Sequence, residues 1–380
     1  MKRIISFILL FVSVTSCKEK YDIVLKDSDK SLIVVEGFLN AGTGPTQITI
    51  TKSFTRANPG SIPKVSNAQV SVEGDNGTSY ALSELGTSGV YQHNQLNLSF
   101  SQQYRLRIKT PDNKEYLSDY VPVLQSPVID SVSWKWENNG VMFYVSTHDA
   151  TNNSRYYKWE YDETWQINSI YFSFVKMINS IDIVPRDLTT EDVSRCWKYG
   201  KSNSILIGTT SQLQSDVAHE IPLFYLPANI EKIGVRYSPL VKQTVIPKQA
   251  YEYFNLMKKN TEQLGSIFDP LPSELRGNIK CISNPSEQVI GYITAGTQTE
   301  KRIFINSTQL PNSYFPGPSC FSVLIANHPD SIRKYTGSFG YLPYMEELDI
   351  FNNIVGYHAA NPVCSDCTRR GGSNVKPLYW

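Results

Sequence analysis

The feature that most constrains the fold is a regular series of short runs in which β-branched or apolar residues alternate with polar ones. Turn-forming residues separate the runs, as at Asp75-Asn76-Gly77 and Pro111-Asp112-Asn113. The runs lie at residues 32–35, 47–51, 68–72, 79–82 and 104–108. Strands this short and this evenly spaced are typical of antiparallel sandwiches. The sequence therefore predicts a β-sandwich of immunoglobulin or transthyretin type over residues 32–123.

A proline-containing segment, residues 121–127, separates the predicted sandwich from a second β-rich region. Pro122 and Pro127 disfavour both a helix and a central strand, so this segment is the predicted domain boundary. Beyond it, alternating apolar residues on both sides of Asn138-Asn139-Gly140 predict a β-hairpin. Apolar segments at residues 170–175, 205–207, 223–226, 233–237 and 289–294 predict further strands. We expect a larger β-sandwich-like domain over residues 128–380.

One helix is predicted, over residues 247–264. Its apolar side recurs at helical spacing through Ala250, Phe254, Met257, Thr261 and Leu264. Pro247 suits the first turn of a helix, and the prolines of residues 269–272 end it. The amphipathic pattern predicts a helix lying on a sheet, so the fold class is mainly β with few helices.

A row of large aromatic residues is the most conspicuous candidate for a binding site. Tyr157, Trp159, Tyr161, Glu163 and Trp165 share one face of a predicted strand, and the opposite face carries charged residues. Exposed Tyr and Trp rings can stack on sugars, which makes Trp159, Tyr161 and Trp165 candidate binding residues. A sandwich also needs one bulky, buried face on each strand. We favour the core interpretation because the opposite face is suitably polar.

The cysteines predict disulfide bonds and one unpaired thiol. Five cysteines follow Cys17: Cys196, Cys281, Cys320, Cys364 and Cys367. The Cys364-Ser365-Asp366-Cys367 spacing also suits a redox pair or a zinc site. The redox interpretation needs a helix N-terminus, and zinc needs two further ligands, of which His358 offers at most one. We favour structural disulfides and leave their pairing open.

The N-terminus has the pattern of a bacterial lipoprotein signal. Lys2 and Arg3 precede an apolar run at residues 4–14, and Val14-Thr15-Ser16-Cys17 suits cleavage before a lipidated cysteine. The apolar run is too short to span a bilayer permanently. We therefore expect residues 1–16 to be a signal peptide, Cys17 to carry the lipid anchor, and residues 17–31 to be a polar tether.

Charge and motifs argue against two large classes of function. Removing Lys2 and Arg3 leaves 34 basic residues, from 36, against 35 acidic ones, and such a balance does not favour nucleic acid. The sequence contains no nucleophile elbow, HExxH, phosphate loop or dinucleotide fingerprint. Its five histidines are scattered, and the adjacent pairs His148-Asp149 and His219-Glu220 would point to opposite faces of a strand. We predict no catalytic residues, no cofactor and no metal site.

Several segments, in order, resemble the Bacteroidetes lipoproteins classed as domain of unknown function 4249. They include residues 32–38 (LIVVEGF), 156–165 (YYKWEYDETW), 267–278 (IFDPLPSELRGN) and 366–372 (DCTRRGG). Cys196-Trp197, residues 289–292 and residues 377–380 are also similar. The resemblance implies an outer-membrane lipoprotein whose gene lies near that of a TonB-dependent transporter. It implies an accessory role in nutrient uptake or transporter assembly, and no catalytic residues.

The resemblance also implies how the protein is exported and modified. Lys18-Glu19-Lys20 partly resembles the phylum's export signal for surface lipoproteins, although Lys20 departs from it, so display at the cell surface is expected and a periplasmic location stays open. Asp130-Ser131-Val132 and Asp330-Ser331-Ile332 resemble its O-glycosylation acceptor, with an unmodified turn or strand start as the alternative.

Three functions therefore stay open at this point. The first is a transporter accessory whose exposed aromatic patch, near Trp159 or near Tyr314 and Phe315, contacts a transporter or its cargo. The second is a stand-alone module that binds a glycan or a peptide. The third is a hydrolase with an unrecognised pair of carboxylates.

Overall fold

The alternating runs form strands in the computed structural model, which describes residues 31–53, 62–262, 275–311, 315 and 317–380. Within these residues the fold is mainly β. The first strands are β1 Ile33–Gly37, β2 Leu39–Asn40, β3 Thr46–Lys52, β4 Gln69–Gly74, β5 Ser79–Glu84, β6 Val90–His93, β7 Gln103–Lys109, β8 Glu115–Ser118 and β9 Val121–Leu124. The next are β10 Ile129–Glu137, β11 Gly140–His148, β12 Tyr156–Asn168, β13 Val175–Met177, β14 Ile183–Pro185, β15 Arg195–Lys201, β16 Leu206–Thr209, β17 Val217–Pro227 and β18 Arg236–Val245. The last are β19 Ile279–Cys281, β20 Val289–Ile290, β21 Ala295–Gly296, β22 Gln298–Arg302, β23 Ile305–Asn306, β24 Ser322–Ala326, β25 Leu342–Leu348 and β26 Ile354–Ala360.

The first nine strands belong to one curled sheet with an inward apolar face. Val70 on β4 lies opposite Ile108 on β7, and Val72 lies opposite Leu106. All four side chains are buried in one core together with Ile48 of β3. The strand period of two therefore places every second residue inside, as the sequence predicts.

A later part of the chain completes this first sheet. Residues 279–296, which the sequence placed in the second region, supply β19, β20 and β21. β20 pairs in parallel with β1, and β21 pairs in parallel with both β2 and β9. Ile279, Val289 and Ile293 are buried in the first core. The strand predicted at residues 289–294 is present only as β20, Val289–Ile290, and it belongs to the first sheet and not to the second region. β19 and β21 were not predicted, because strands of two or three residues are too short to show a period.

The second region contains two sheets packed face to face. One has the order β10-β11-β17, and the other has the order β15-β12-β18-β22, with β16 and β23 added. The predicted hairpin is present as β10–β11, and Asn138 and Asn139 at its turn have φ of 51° and 58°. Val145, Trp159 and Val241 are buried between the sheets.

The predicted helix is present as α1 Lys248–Glu262. Leu264 and residues 269–272, which belonged to that prediction, lie outside the described residues. Ala250 is buried as expected, but the other buried side chain is Tyr253, which the predicted face did not include. The Tyr253 ring lies 5.4 Å from the ring of Tyr292, which follows β20, so the helix packs toward the first sheet as well as on β12.

Two separated segments, residues 169–191 and 320–366, form a unit that we call the small module. It contains the hairpin β13–β14, the sheet β24-β26-β25, and two short helices, α2 Pro329–Arg333 and α3 Pro362–Ser365. Val175 of β13 shares a small core with Ile325, Ile332, Tyr357 and Ala359. Of the strand predicted at residues 170–175, only Val175 lies in a strand, and that strand, β13, belongs to this module and not to the second sandwich.

Candidate interaction surface

The aromatic row of β12 is largely core. Trp159 is 1% exposed, and its Nε1 donates to Oε1 of Gln243 over 2.8 Å. Tyr157 is fully buried, and its hydroxyl donates to Asp216. Tyr161 is half-buried, and its ring lies 3.9 Å from the ring of Phe224. The structure thus favours the core interpretation, and Trp159 has no face to offer a sugar.

The far end of the row is tied into ion pairs. Trp165 is half-buried; its Nε1 donates to Glu231, and the ammonium of Lys232 lies 5.2 Å from its ring centre. Glu231 also accepts from Lys198 and Arg370, each at 2.6 Å. Burial raises the pKa of Glu231, but these hydrogen bonds outweigh it and lower the pKa below its ordinary value. This end of the row therefore has a structural role.

Four of the five cysteines that follow Cys17 form disulfides, and the fifth is the unpaired thiol that the sequence predicts. Cys196 pairs with Cys367, and Cys320 pairs with Cys364. Cys281 is free and buried. The two cysteines of the CxxC segment thus have different partners, which removes both from zinc binding and from a redox pair with each other. The Cys196–Cys367 bond instead ties the chain directly after the small module to β15, and the Cys320–Cys364 bond closes a loop within the module.

The small module carries a large share of the exposed apolar surface. More than half of the exposed large apolar side chains in the described part of the chain lie in it, although it holds a minority of those residues. On the outer face of its sheet, Leu324 and Met345 flank His358 and are 56% and 37% exposed. His358 Nε2 lies 2.7 Å from Oε2 of Glu347. This outer face has a polar centre and an apolar rim.

Aromatic side chains extend this surface beyond the sheet. Phe172 and Phe174 are exposed, and their rings lie 4.7 Å apart. Phe321 and Phe339, also exposed, both contact Tyr341. Isolated exposed apolar residues are ordinary on protein surfaces, but groups of them mark interaction sites.

The β25–β26 turn carries the most exposed pair in the module. Ile350 is 91% exposed and Phe351 is 77% exposed. Asp349 fixes the turn: its carboxylate accepts from the backbone N–H groups of Phe351 and Asn353 and from the Asn353 side chain, at 2.8–3.0 Å. The two bonds from Asn353, side chain first, lower the pKa of Asp349. Asn352 takes the left-handed conformation, with φ of 63°.

The first sheet with its loops, residues 31–53, 62–124 and 279–296, is called the first unit. It carries a cleft of about 830 Å³ whose lining includes no residue of the small module. Lys52, Lys64 and Lys114 lie on it, together with Tyr116 and Glu287. Glu287 accepts from the Lys114 ammonium and the Tyr116 hydroxyl, both at 2.6 Å. Burial opposes ionisation of Glu287, but these two bonds lower its pKa and hold it as a carboxylate. The cleft therefore combines basic groups, a fixed acid and an apolar wall.

The remaining predicted residues are dispersed. Ser131 is exposed on β10, whereas Ser331 is half-buried in α2. Cys17 and Tyr314 lie outside the described residues, and Phe315 is half-buried near Gly234. His148 Nδ1 lies 2.8 Å from Asp130, which is a cross-strand partner and not the adjacent Asp149.

Two further kinds of site are absent from the described ranges. No group of three or more His, Cys, Asp or Glu side chains there could hold a metal ion. In that same part of the chain, no helix is both long and apolar enough to cross a membrane.

Sequence reasoning missed the small module's turn and the cleft. A weak signal for the turn exists, since Ile350-Phe351 is an apolar pair placed between the turn formers Asp349 and Asn352-Asn353. The cleft has no such signal, because its walls come from residues 31–33, 52, 63–66, 110–116 and 284–288.

The fold and surface define a mainly β, disulfide-bonded protein whose small module exposes an apolar surface. The family described as "Domain of unknown function (DUF4249)" matches residues 18–302, and the chain belongs to it. The match ends before residues 320–366 of the small module. No curated protein matches the chain. Among solved structures, the chain is similar to the chitinase ChiA74 from Bacillus thuringiensis, with 11% identity and a TM-score of 0.16, over 53% of this chain and 30% of that chain. A likeness this weak carries no argument about fold or activity.

Proposed function

We propose that the protein is an outer-membrane lipoprotein that acts as a non-enzymatic accessory or binding subunit of a TonB-dependent transporter in nutrient uptake. A lipid on Cys17 anchors it, and residues 17–31 tether the folded chain, which faces the cell surface. A bacterial lipoprotein carries several acyl chains, enough for stable attachment. The observation that supports this function best is the concentration of exposed apolar side chains on the small module.

The chemistry of that surface suits a protein partner. Aromatic and Met side chains are enriched where proteins meet, and lysine is depleted there. Two disulfides and a sheet hold the surface in one arrangement, so little conformational entropy remains to be lost on binding. A rigid apolar surface of this kind favours docking onto a second protein.

The test is a pull-down of the tagged full chain from gently solubilised outer membranes of the native host. We expect a TonB-dependent barrel in stoichiometric amount from wild type, and a clear loss with L324S/M345S on the outer face of the module. The matched control is L213S, since Leu213 is equally exposed but lies in the turn after β16. Recovery of the wild-type protein alone would refute the transporter role.

The cleft of the first unit favours a second candidate, a stand-alone surface module that binds a glycan or a peptide. Its volume lies in the range of small-molecule sites, about 300–1,000 Å³. A glycan and peptide panel screened by calorimetry tests it. A ligand bound here should bind more weakly to K64A and equally well to K109A, because Lys64 lines the cleft and Lys109 is an exposed lysine outside it.

A further inference from the structure

The turn at residues 349–353 exposes two large apolar side chains where turns normally carry polar ones. Ile350 and Phe351 sit side by side at the end of the β25–β26 hairpin, and both point into water. Neither side chain belongs to the small core of the module. The pair therefore has no role in folding that the structure shows.

The turn is also rigid without any partner. Besides the three bonds to its carboxylate, Asp349 accepts at its backbone carbonyl from Asn352 and donates its own N–H to Asn353, at 3.1 and 2.9 Å. A type I turn closed by a residue in the left-handed region is a regular way to end a hairpin. Because these bonds already hold the backbone of the pair, its binding would lose little backbone conformational entropy.

The charges around the turn select the kind of surface that it fits. The hairpin that carries the turn, residues 342–360, has no lysine or arginine, and it has three acidic residues: Glu346, Glu347 and Asp349. An apolar pair that inserts into an anionic lipid surface is normally surrounded by basic residues. Acidic neighbours repel such a surface and attract a basic one.

We propose that the Ile350–Phe351 turn is the anchor of the small module, and that it inserts into an apolar pocket with a basic rim on a protein partner. This inference rests on the proposed function, because it assigns the decisive contact of that same docking surface. Phe351 fills the pocket, and Glu346 and Glu347 face the rim. Central, desolvated aromatic anchors carry most of the binding free energy in protein interfaces.

The test uses the full chain and the barrel recovered with it. The affinity of I350S/F351S for the purified partner should fall on the order of 30-fold or more, the range of an interface hot spot. The control L85S/F100S removes an exposed Leu and Phe from the first unit and should bind as wild type. A photoreactive phenylalanine analogue at position 351, but not at position 100, should crosslink to a partner peptide that contains Lys or Arg.

The outcomes separate this inference from the proposed function. If wild type and I350S/F351S capture the barrel equally, the anchor is refuted and the accessory role stands. If wild type captures no barrel, both fall. If the lipid-free wild-type chain floats with phosphatidylcholine vesicles and I350S/F351S does not, the turn inserts into a membrane and the protein pocket is refuted. If wild type self-associates in sedimentation and I350S/F351S does not, the occupant is a second copy of the chain and the pocket on another protein is refuted. Thermal unfolding of each variant should match wild type, since the Asp349 network is unchanged.

Discussion

Replacing Trp159 by alanine should destabilise the protein severely. The indole is 1% exposed, lies between two sheets, and has its plane 11° from that of the Tyr157 ring, 5.6 Å away. Gly208 on the neighbouring strand leaves the space the ring occupies, since a Cβ there would lie 2.7 Å from it. Truncating a buried Trp costs about 3–5 kcal/mol. The substitution also removes the donor to the buried Gln243 oxygen, and an unsatisfied buried acceptor costs about 1–3 kcal/mol more.

Urea unfolding followed by circular dichroism measures this loss. We expect W159A to lose about 4 kcal/mol or more in the free energy of unfolding, and W159F to lose less, because phenylalanine keeps most of the ring contact and only the N–H is removed. Y199A changes an exposed aromatic on the adjacent strand β15 and should shift stability by less than about 0.5 kcal/mol. A W159A protein with the wild-type midpoint would show that the row is not core, and would reopen the ligand-platform interpretation.

Two further predictions concern the small module. Removing the Cys196–Cys367 bond, which closes a loop of 171 residues, should lower the free energy of unfolding by about 5 kcal/mol through loop entropy. Removing the Cys320–Cys364 bond, which closes a loop of 44 residues, should lower it by about 4 kcal/mol. Denaturant unfolding of the C196A/C367A and C320A/C364A proteins measures both losses. Equal stability of all three proteins would contradict this. The pKa of Asp349 in the folded protein lies below its ordinary value of 3.8. The hydrogen bonds that its carboxylate accepts in the turn should therefore be complete above pH 3.8, and they should be lost as the pH falls through the lower pKa of the folded state. The backbone NMR shifts of the turn should report that loss, and D349A should lack it; an acid transition retained in D349A would assign it to another group.

The parts of the fold that were predictable are those in which local pattern and tertiary environment agree. The turn of β10–β11 was predictable because Asn138 and Asn139 tolerate positive φ, and β12 was predictable because its aromatic and charged residues alternate over many positions. The family membership was also correct, and the signatures at residues 32–38, 156–165, 267–278 and 289–292 lie in order within the matched residues.

The parts that were not predictable depend on distant contacts. The pattern at residues 289–294 predicted a strand, but its pairing with β1 in the first sheet depends on a free edge that β1 presents. β21 is two residues long and becomes a strand only because β2 and β9 present free edges to it. The partner of Cys364 is likewise set by the fold, since Cys320 approaches it only when β24 pairs with β26. The candidate surface was also not predictable, because Leu324 and Met345 come to lie on the same face only when their strands pair with β26 on either side of His358.

The disulfides explain why the small module can fold while it leaves apolar side chains exposed. The main core of the small module is small for two separated segments to share, since it contains five buried residues: Val175, Ile325, Ile332, Tyr357 and Ala359. Small units with such cores usually need covalent support. Because Cys196–Cys367 and Cys320–Cys364 supply it, Ile350 and Phe351 need not be buried for the module to fold. Apolar side chains that the fold does not need for its own stability remain free for a partner, and this is why we assign docking to the small module.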